Sequence, residues 1–357
     1  MVRSLAWVGA ILACGVMSAI SAGAQPIGTP PQTQPASADL MTSAPLAAPP
    51  QGVTLSSHVI EEASRYRAYM RKVKSLVSRF DNGAAIEATL SEAESYEPQQ
   101  LIRGAVAYGA VMALQDPAFV ASVRVFAANP ASRADVAERL LADPTYADVL
   151  PGAATAADLI RASLHRQSFR LMELGGSIKQ AAYSIQKEKS WSKTSVTDPQ
   201  GRLSRAKELS SQSMELDSTE MKAISDALVD GSAFVREEAP PNEPPPASAT
   251  PFTGLINRSL ALAALAVLGS GGDDNDAALQ NLMGDASSGY CLSMSKLNLY
   301  QCLAVARPWY EDMFCLGLHA ISDTGECIAK AAGEQPIAPQ PYVAANTPRK
   351  TKKSRTP

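Results

Sequence analysis

Histidine is almost missing from this chain: 3 of 357 residues. They are His58, His165 and His319, too far apart for the close ligand spacing of a zinc site. HExxH, GxSxG and a glycine-rich phosphate loop are missing too, so no motif announces a metalloprotease, a serine hydrolase or a nucleotide-binding enzyme. Alternating β-branched stretches are scarce, which argues against sheets. Past residue 24, no apolar run reaches the roughly 20 residues that a membrane-spanning helix needs. The sequence therefore implies no metal, no cofactor and no membrane span beyond its N-terminus.

What is there begins with MVRSLAWVGAILACGVMSAISAGAQP. Arg3, an apolar run from Leu5 to Ile20 and small residues ending in Ala22-Gly23-Ala24 follow the order of a secretory signal, with cleavage expected after Ala24. A minor alternative places a lipid on Cys14, preceded by Ile-Leu-Ala. The mature chain would then be periplasmic or secreted. Residues 25–54, crowded with proline, glutamine, serine and alanine, read as a disordered linker.

Net charge is −3, but the two signs are separated. Five positive charges fall in the last twelve residues, on Arg349, Lys350, Lys352, Lys353 and Arg355, with no acid among them. Residues 334–357 thus form a disordered basic tail on an acidic body. Such a tail can contact anionic lipid or an acidic glycan. The lack of interleaved aromatics argues against nucleic acid.

Between these ends the apolar spacing is helical. Val59, Tyr66, Met70, Val73, Val77 and Phe80 recur on one helix face. Opposite lie Glu61, Glu62, Arg65, Arg67, Arg71 and Lys74, read as a solvated face, and Asp81-Asn82-Gly83 as the stop. A second helix is expected from Ile86 to Tyr96. Asp116-Pro117, Asn129-Pro130 and Asp143-Pro144 each pair a capping side chain with a proline at the first helical position, so each should open a short helix. A helix from Ala153 to Trp191, bent at Gly175-Gly176, would span roughly 58 Å. Residues 237–251 form a second proline-rich breaker. The segment 255–269 after it is apolar almost all round and needs burial. The expectation is an all-α fold, a multi-helix bundle or helical array: a helical body at 55–236, a loop or linker at 237–251, and 252–333 docked on the body.

Four cysteines occur between 291 and 327. Their gaps are far wider than a zinc knuckle allows. Cys315 and His319 stand one helical turn apart, but an even cysteine count in an oxidising compartment leaves no spare thiol. Cys291 and Cys302 are eleven residues apart, close to three full turns, so both sulfurs face one way. Arg307-Pro308 breaks the chain before a returning helix, and Asp323-Thr324-Gly325 is read as another turn. That layout favours Cys302 with Cys315 and Cys291 with Cys327, though three connectivities are open. The arrangement is similar in principle to twin CX₉C hairpins, with longer gaps.

Two further fragments carry chemistry. Asp273, Asp274 and Asp276 lack the glycine and the spacing of an EF-hand loop, and read as a capped turn. Glu94-Ser95, Pro98 and Gly109-Ala110-Val111-Met112 resemble, over about 20 residues, the Glu-Ser and Gly-Leu-Met-Gln signatures of lytic transglycosylases. The resemblance would make Glu94 an acid/base on peptidoglycan. Val111 and Ala113 depart from the pattern. Without a fuller catalytic set, the sequence favours a non-catalytic, envelope-associated interaction or scaffold module, with a protein or envelope polymer as partner. Peptidoglycan cleavage through Glu94 is the alternative.

Overall fold

The computed structural model describes residues 52–230, 243–246 and 251–334, all within the compact unit Leu46–Pro357. Residues 1–24, where the signal is expected, with Cys14, most of the 25–54 segment, most of the 237–251 breaker and the basic residues from Arg349 to Arg355 lie outside the described residues.

The fold is all-α. In chain order the helices are α1 (Ser57–Lys74), α2 (Gly83–Glu94), α3 (Pro98–Ala113), α4 (Pro117–Ala128) and α5 (Pro130–Ala142), then α6 (Ala153–Ile185), α7 (Lys189–Ser192), α8 (Pro199–Leu209) and α9 (Ser218–Asp230). After the proline-rich segment come α10 (Gly254–Leu268), α11 (Asp276–Met283), α12 (Ala286–Val305), α13 (Trp309–Cys315) and α14 (Asp323–Ala331). Short 3₁₀ turns cover Pro144–Val149 and Asp273–Asn275, and a π-helical stretch covers Leu316–Ser322. The only extended pairing among the described residues is an isolated bridge of Ser195 with Pro308.

The capping logic of the sequence operates as expected. Asp116 accepts the N–H groups of Ala118 and Phe119 and opens α4; Asn129 accepts those of Ala131 and Ser132 and opens α5. Asp143 does the same for the 3₁₀ turn. Each spares an otherwise orphaned backbone donor.

α3 and α10 form the centre. Thirteen residues of each are buried. α10 packs on α3, α4, α5 and α6, which satisfies the all-round apolar face that a surface helix could not carry. Gly109 of α3 lies against Ser259 of α10, where a Cβ would meet the Ser259 side chain, and the Ser259 hydroxyl donates to the Val106 carbonyl at 3.0 Å. One continuous hydrophobic cluster runs from Leu55 to Ala332.

Several boundaries differ from the sequence reading. α1 stops at Lys74, and Val77 is 59% exposed. Asp81-Asn82-Gly83 begins a helix instead of ending one, because the Asn82 side chain accepts the Ala85 N–H at 3.0 Å and caps α2. α2 ends at Glu94, short of Tyr96. α6 has 33 residues and runs through Gly175-Gly176 without a break in its helix. It ends where the apolar stripe gives way to Gln186, Lys187 and Glu188, leaving Trp191 on α7.

The charged face of α1 is not simply solvated. Arg67 and Arg71 both hold Glu220 of α9 at 2.6 Å, and Arg71 also pairs with Asp217. Glu62 is buried and accepts the Gln100 side-chain N–H at 3.1 Å. Asp323-Thr324-Gly325 is not a turn either, since α14 runs through it. Gly325 is there for contact: a Cβ would sit 2.9 Å from both the Leu171 Cβ and the Ser168 carbonyl of α6. Gly317 likewise lies against the Gly175 carbonyl, 2.7 Å from where its Cβ would be. Two glycine-lined backbones thus approach closely along α6.

The breakers are tied down where they are described. Thr54, at the end of the expected linker, donates its N–H to the Ala266 carbonyl at 3.3 Å. Residues 243–246 dock beside His165 of α6.

Candidate functional site

The cysteines join as Cys291–Cys327 and Cys302–Cys315, each with Cα atoms 5.7 Å apart. α12 supplies two sulfurs, and the returning run of α13, the π stretch and α14 supplies the others. Cys315 therefore carries no thiol, and His319 turns to Asp323, 2.8 Å away. A buried ion pair fastens the same hairpin from behind. Arg202 of α8 holds Asp312 of α13 and also donates to the Leu303 carbonyl. Burial raises the Asp312 carboxyl to about 6, opposed by the attraction and hydrogen bond of Arg202.

Glu94 is wholly buried at the end of α2. Its carboxylate has one weak partner, the Ser210 hydroxyl at 3.4 Å, and its Oε1 has none. Lys296 of α12 reaches in, donates to the Glu94 backbone carbonyl at 2.7 Å and stands 3.6 Å from the centre of the Tyr96 ring. Burial pushes Glu94 up to about 7, with Lys296 and Ser210 pulling the other way. Burial pushes Lys296 down to about 7, with Glu94 opposing. Tyr69 and Tyr96 are buried alongside, both raised, first by desolvation.

A carboxyl near 7 is what a general acid needs. Access is what is missing. The cavity beside Glu94 measures about 10 Å³, at the lower limit for one water molecule. A sugar ring cannot reach the carboxyl in this conformation. The other half of the transglycosylase-like fragment, Gly109 to Met112, is buried helix packing against α10. Lys296 was missed by the sequence reading, although a signal existed: it is the one charged residue in the twenty of α12.

The acidic stretch after α10 has a structural job. Asp273 accepts the Ser57 N–H at 2.7 Å and its hydroxyl at 2.9 Å, and Asp276 accepts the Ser56 hydroxyl at 3.0 Å. These carboxylates satisfy and complement the positive N-terminal end of α1. No group of side chains suited to holding a metal ion occurs among the described residues.

His165 is the other buried polar centre. Its Nε2 is 2.8 Å from the Pro244 carbonyl, and its Nδ1 is 2.5 Å from Glu334. Glu243 lies 3.7 Å from Nε2. Burial raises the Glu243 carboxyl, while His165, Arg166 and Arg170 oppose and Glu334 adds to the rise. One imidazole thus gathers the proline-rich segment and the last described residue onto α6.

The large concavities are elsewhere. Two adjoining pockets of about 660 and 1130 Å³ share Ser78, Arg79, Glu173 and Ser177 and make one groove along the outer face of α6. The loop after α1 forms one wall, and the hairpin, through Met313 and Leu318, the other. Met70, Phe80, Phe169, Met172 and Trp191 give the lining an apolar, adaptable character. Charges of both signs stud it, among them Lys74, Arg170, Glu188 and Glu326.

Among the described residues no single helix is long and apolar enough to cross a membrane; α3 and α4 are apolar enough together but meet at 89°. Comparison with known protein families, with curated proteins and with solved structures returned no match to this chain.

Proposed function

We propose that this chain is an exported, non-catalytic helical module of the cell envelope that binds a partner protein segment in the groove along α6. The groove carries this reading. It is large enough for a peptide or helix, its lining is apolar and methionine-rich, and the ions around it suit a partner carrying both signs. The disulfides support export, since such bonds persist in oxidising compartments, and so does the signal-like N-terminus. The basic residues Arg349, Lys350, Lys352, Lys353 and Arg355 would add a second contact, with anionic lipid or an acidic glycan.

Gly176 gives a clean test. It lines the groove, and a Cβ there meets nothing within 4 Å. Gly176→Trp should plug the groove without disturbing the core. Affinity capture from the native envelope, run with parent, plugged and tail-deleted protein, should lose its main partner only with the plugged form. Equal capture by parent and plugged protein would sink the groove. Peptidoglycan digestion by the parent, lost in Glu94→Gln, would replace the whole reading with the enzymatic one.

A further inference from the structure

A third pocket, of about 410 Å³, lies away from the groove, between the C-terminal end of α6 and the turn joining α12 to α13. Its walls include three aromatic side chains, Tyr183, Tyr310 and Phe314. Tyr183 and Phe314 meet edge to face, with centroids 5.7 Å apart and planes at 64°. Two rings at such an angle make a corner instead of a closed stack. One charged residue, Glu311, lines the pocket. Its Oε2 accepts the Arg307 backbone N–H at 2.8 Å, which fixes the carboxylate. The Arg307 guanidinium donates to the Ala304 and Ala306 carbonyls at 3.2 and 3.0 Å. The Cys302–Cys315 bridge forms part of the lining and holds the helices on either side of the turn.

Aromatic rings and one carboxylate select for positive charge. Ring faces are negative and attract a cation held over them. Gln186 and the two tyrosine hydroxyls add acceptors beside Glu311, but most of the exposed lining is apolar, which suits methyl groups better than hydrated N–H donors. A quaternary ammonium has no N–H to satisfy, and its methyl groups fit an apolar wall. We propose that this pocket binds a trimethylammonium group, with Tyr183, Tyr310 and Phe314 as the cage and Glu311 as the counter-ion. The disulfide fixes the α12–α13 side of the cage, which carries Tyr310, Glu311 and Phe314, before the ligand arrives, and so reduces the ordering left to do on binding. The proposal stands apart from the α6 groove and does not depend on it.

Trimethylammonium is carried by soluble molecules and by a lipid headgroup, and the experiment separates the two. Choline is titrated calorimetrically into the disulfide-bonded protein beside 3,3-dimethylbutan-1-ol, its neutral carbon isostere. Choline should bind at least about tenfold more tightly. Tyr310→Ala should weaken choline about tenfold, Glu311→Gln a few-fold, and Tyr310→Phe little, with each variant's fold checked by circular dichroism. Flotation with phosphatidylcholine vesicles, phosphatidylglycerol vesicles and no lipid identifies the source. Choline-competable binding to the first supports a lipid headgroup; choline binding in solution without vesicle binding supports a soluble ligand. No binding of choline or of phosphatidylcholine overturns the proposal. So does equal affinity for choline and the isostere, which would make the site merely apolar.

Discussion

Glu94 and Lys296 set a pH signature. The folded protein holds the Glu94 proton up to about pH 7, whereas an unfolded chain releases it near 4.5. Folding therefore binds the extra proton between those values, and stability falls as pH rises from about 4.5 to about 7. The effect is worth up to about 3 kcal/mol. Lys296 acts on the other side. It is lowered to about 7 from 10.5, so above pH 7 the unfolded chain holds the extra proton and stability climbs again. Urea unfolding across pH 5 to 9 should show a minimum near 7, and Glu94→Gln should flatten the falling limb. Identical profiles for parent and variant would contradict this account of the buried pair. The neighbouring glycines of α6 make a second residue-scale contrast. Gly175→Ala would drive a methyl onto the Gly317 carbonyl and Ser322, and should cost about 1–3 kcal/mol. Gly176→Ala, one residue on, meets open space and should gain about 0.5–1 kcal/mol. Thermal melts that move the same way for both would refute the seam.

The disulfide-linked hairpin is the element whose behaviour is easiest to separate from the rest. Cys291 and Cys327 are 36 residues apart in sequence, Cys302 and Cys315 only 13. Replacing either pair by serine should destabilise by roughly 2–4 kcal/mol, the longer loop costing about 1 kcal/mol more by chain entropy. Denaturant midpoints of the two double variants test the order. The hairpin was also the most legible element in the sequence. Eleven-residue spacing put Cys291 and Cys302 on one face, and Arg307-Pro308 forced the return. The capped starts at Asp116, Asn129 and Asp143 were legible for a similarly local reason, a side-chain oxygen beside a proline. Misreadings arose where one local signal has two meanings. Asn82-Gly83 can stop a helix or cap the next, and Gly325 can turn the chain or admit a neighbour. Only the partner, α6 in the second case, decides.

At the scale of the whole molecule, the hydrophobic cluster joins Leu55 to Ala332 and α10 lies within it. With its disulfides intact the body should unfold in one step. Far-UV circular dichroism and tryptophan fluorescence should give coincident transitions, and two resolved transitions would divide it into separate folding units. The class of fold, and the need of residues 255–269 for all-round burial, were readable from periodicity. The buried polar centres were not. His165 meets Pro244 and Glu334 across 79 and 169 positions of sequence, Lys296 meets Glu94 across 202, and Arg202 meets Asp312 across 110. No spacing rule reaches that far. The α6 groove was hidden for the same reason, being assembled from three separate stretches of chain.

The π-helical stretch at Leu316–Ser322 has a consequence for phase. It fits a wider turn between two ordinary helical runs and so sets the azimuth of everything after it. Deleting one residue there would rotate α14 by about 100° and shift it by about 1.5 Å along its axis. Cys327 would swing away from Cys291, Thr324 from the Tyr96 hydroxyl, and Gly325 from Leu171. That wide turn works as a vernier: a local change in winding that lets a sulfur, a hydroxyl and a bare backbone all come into alignment at once.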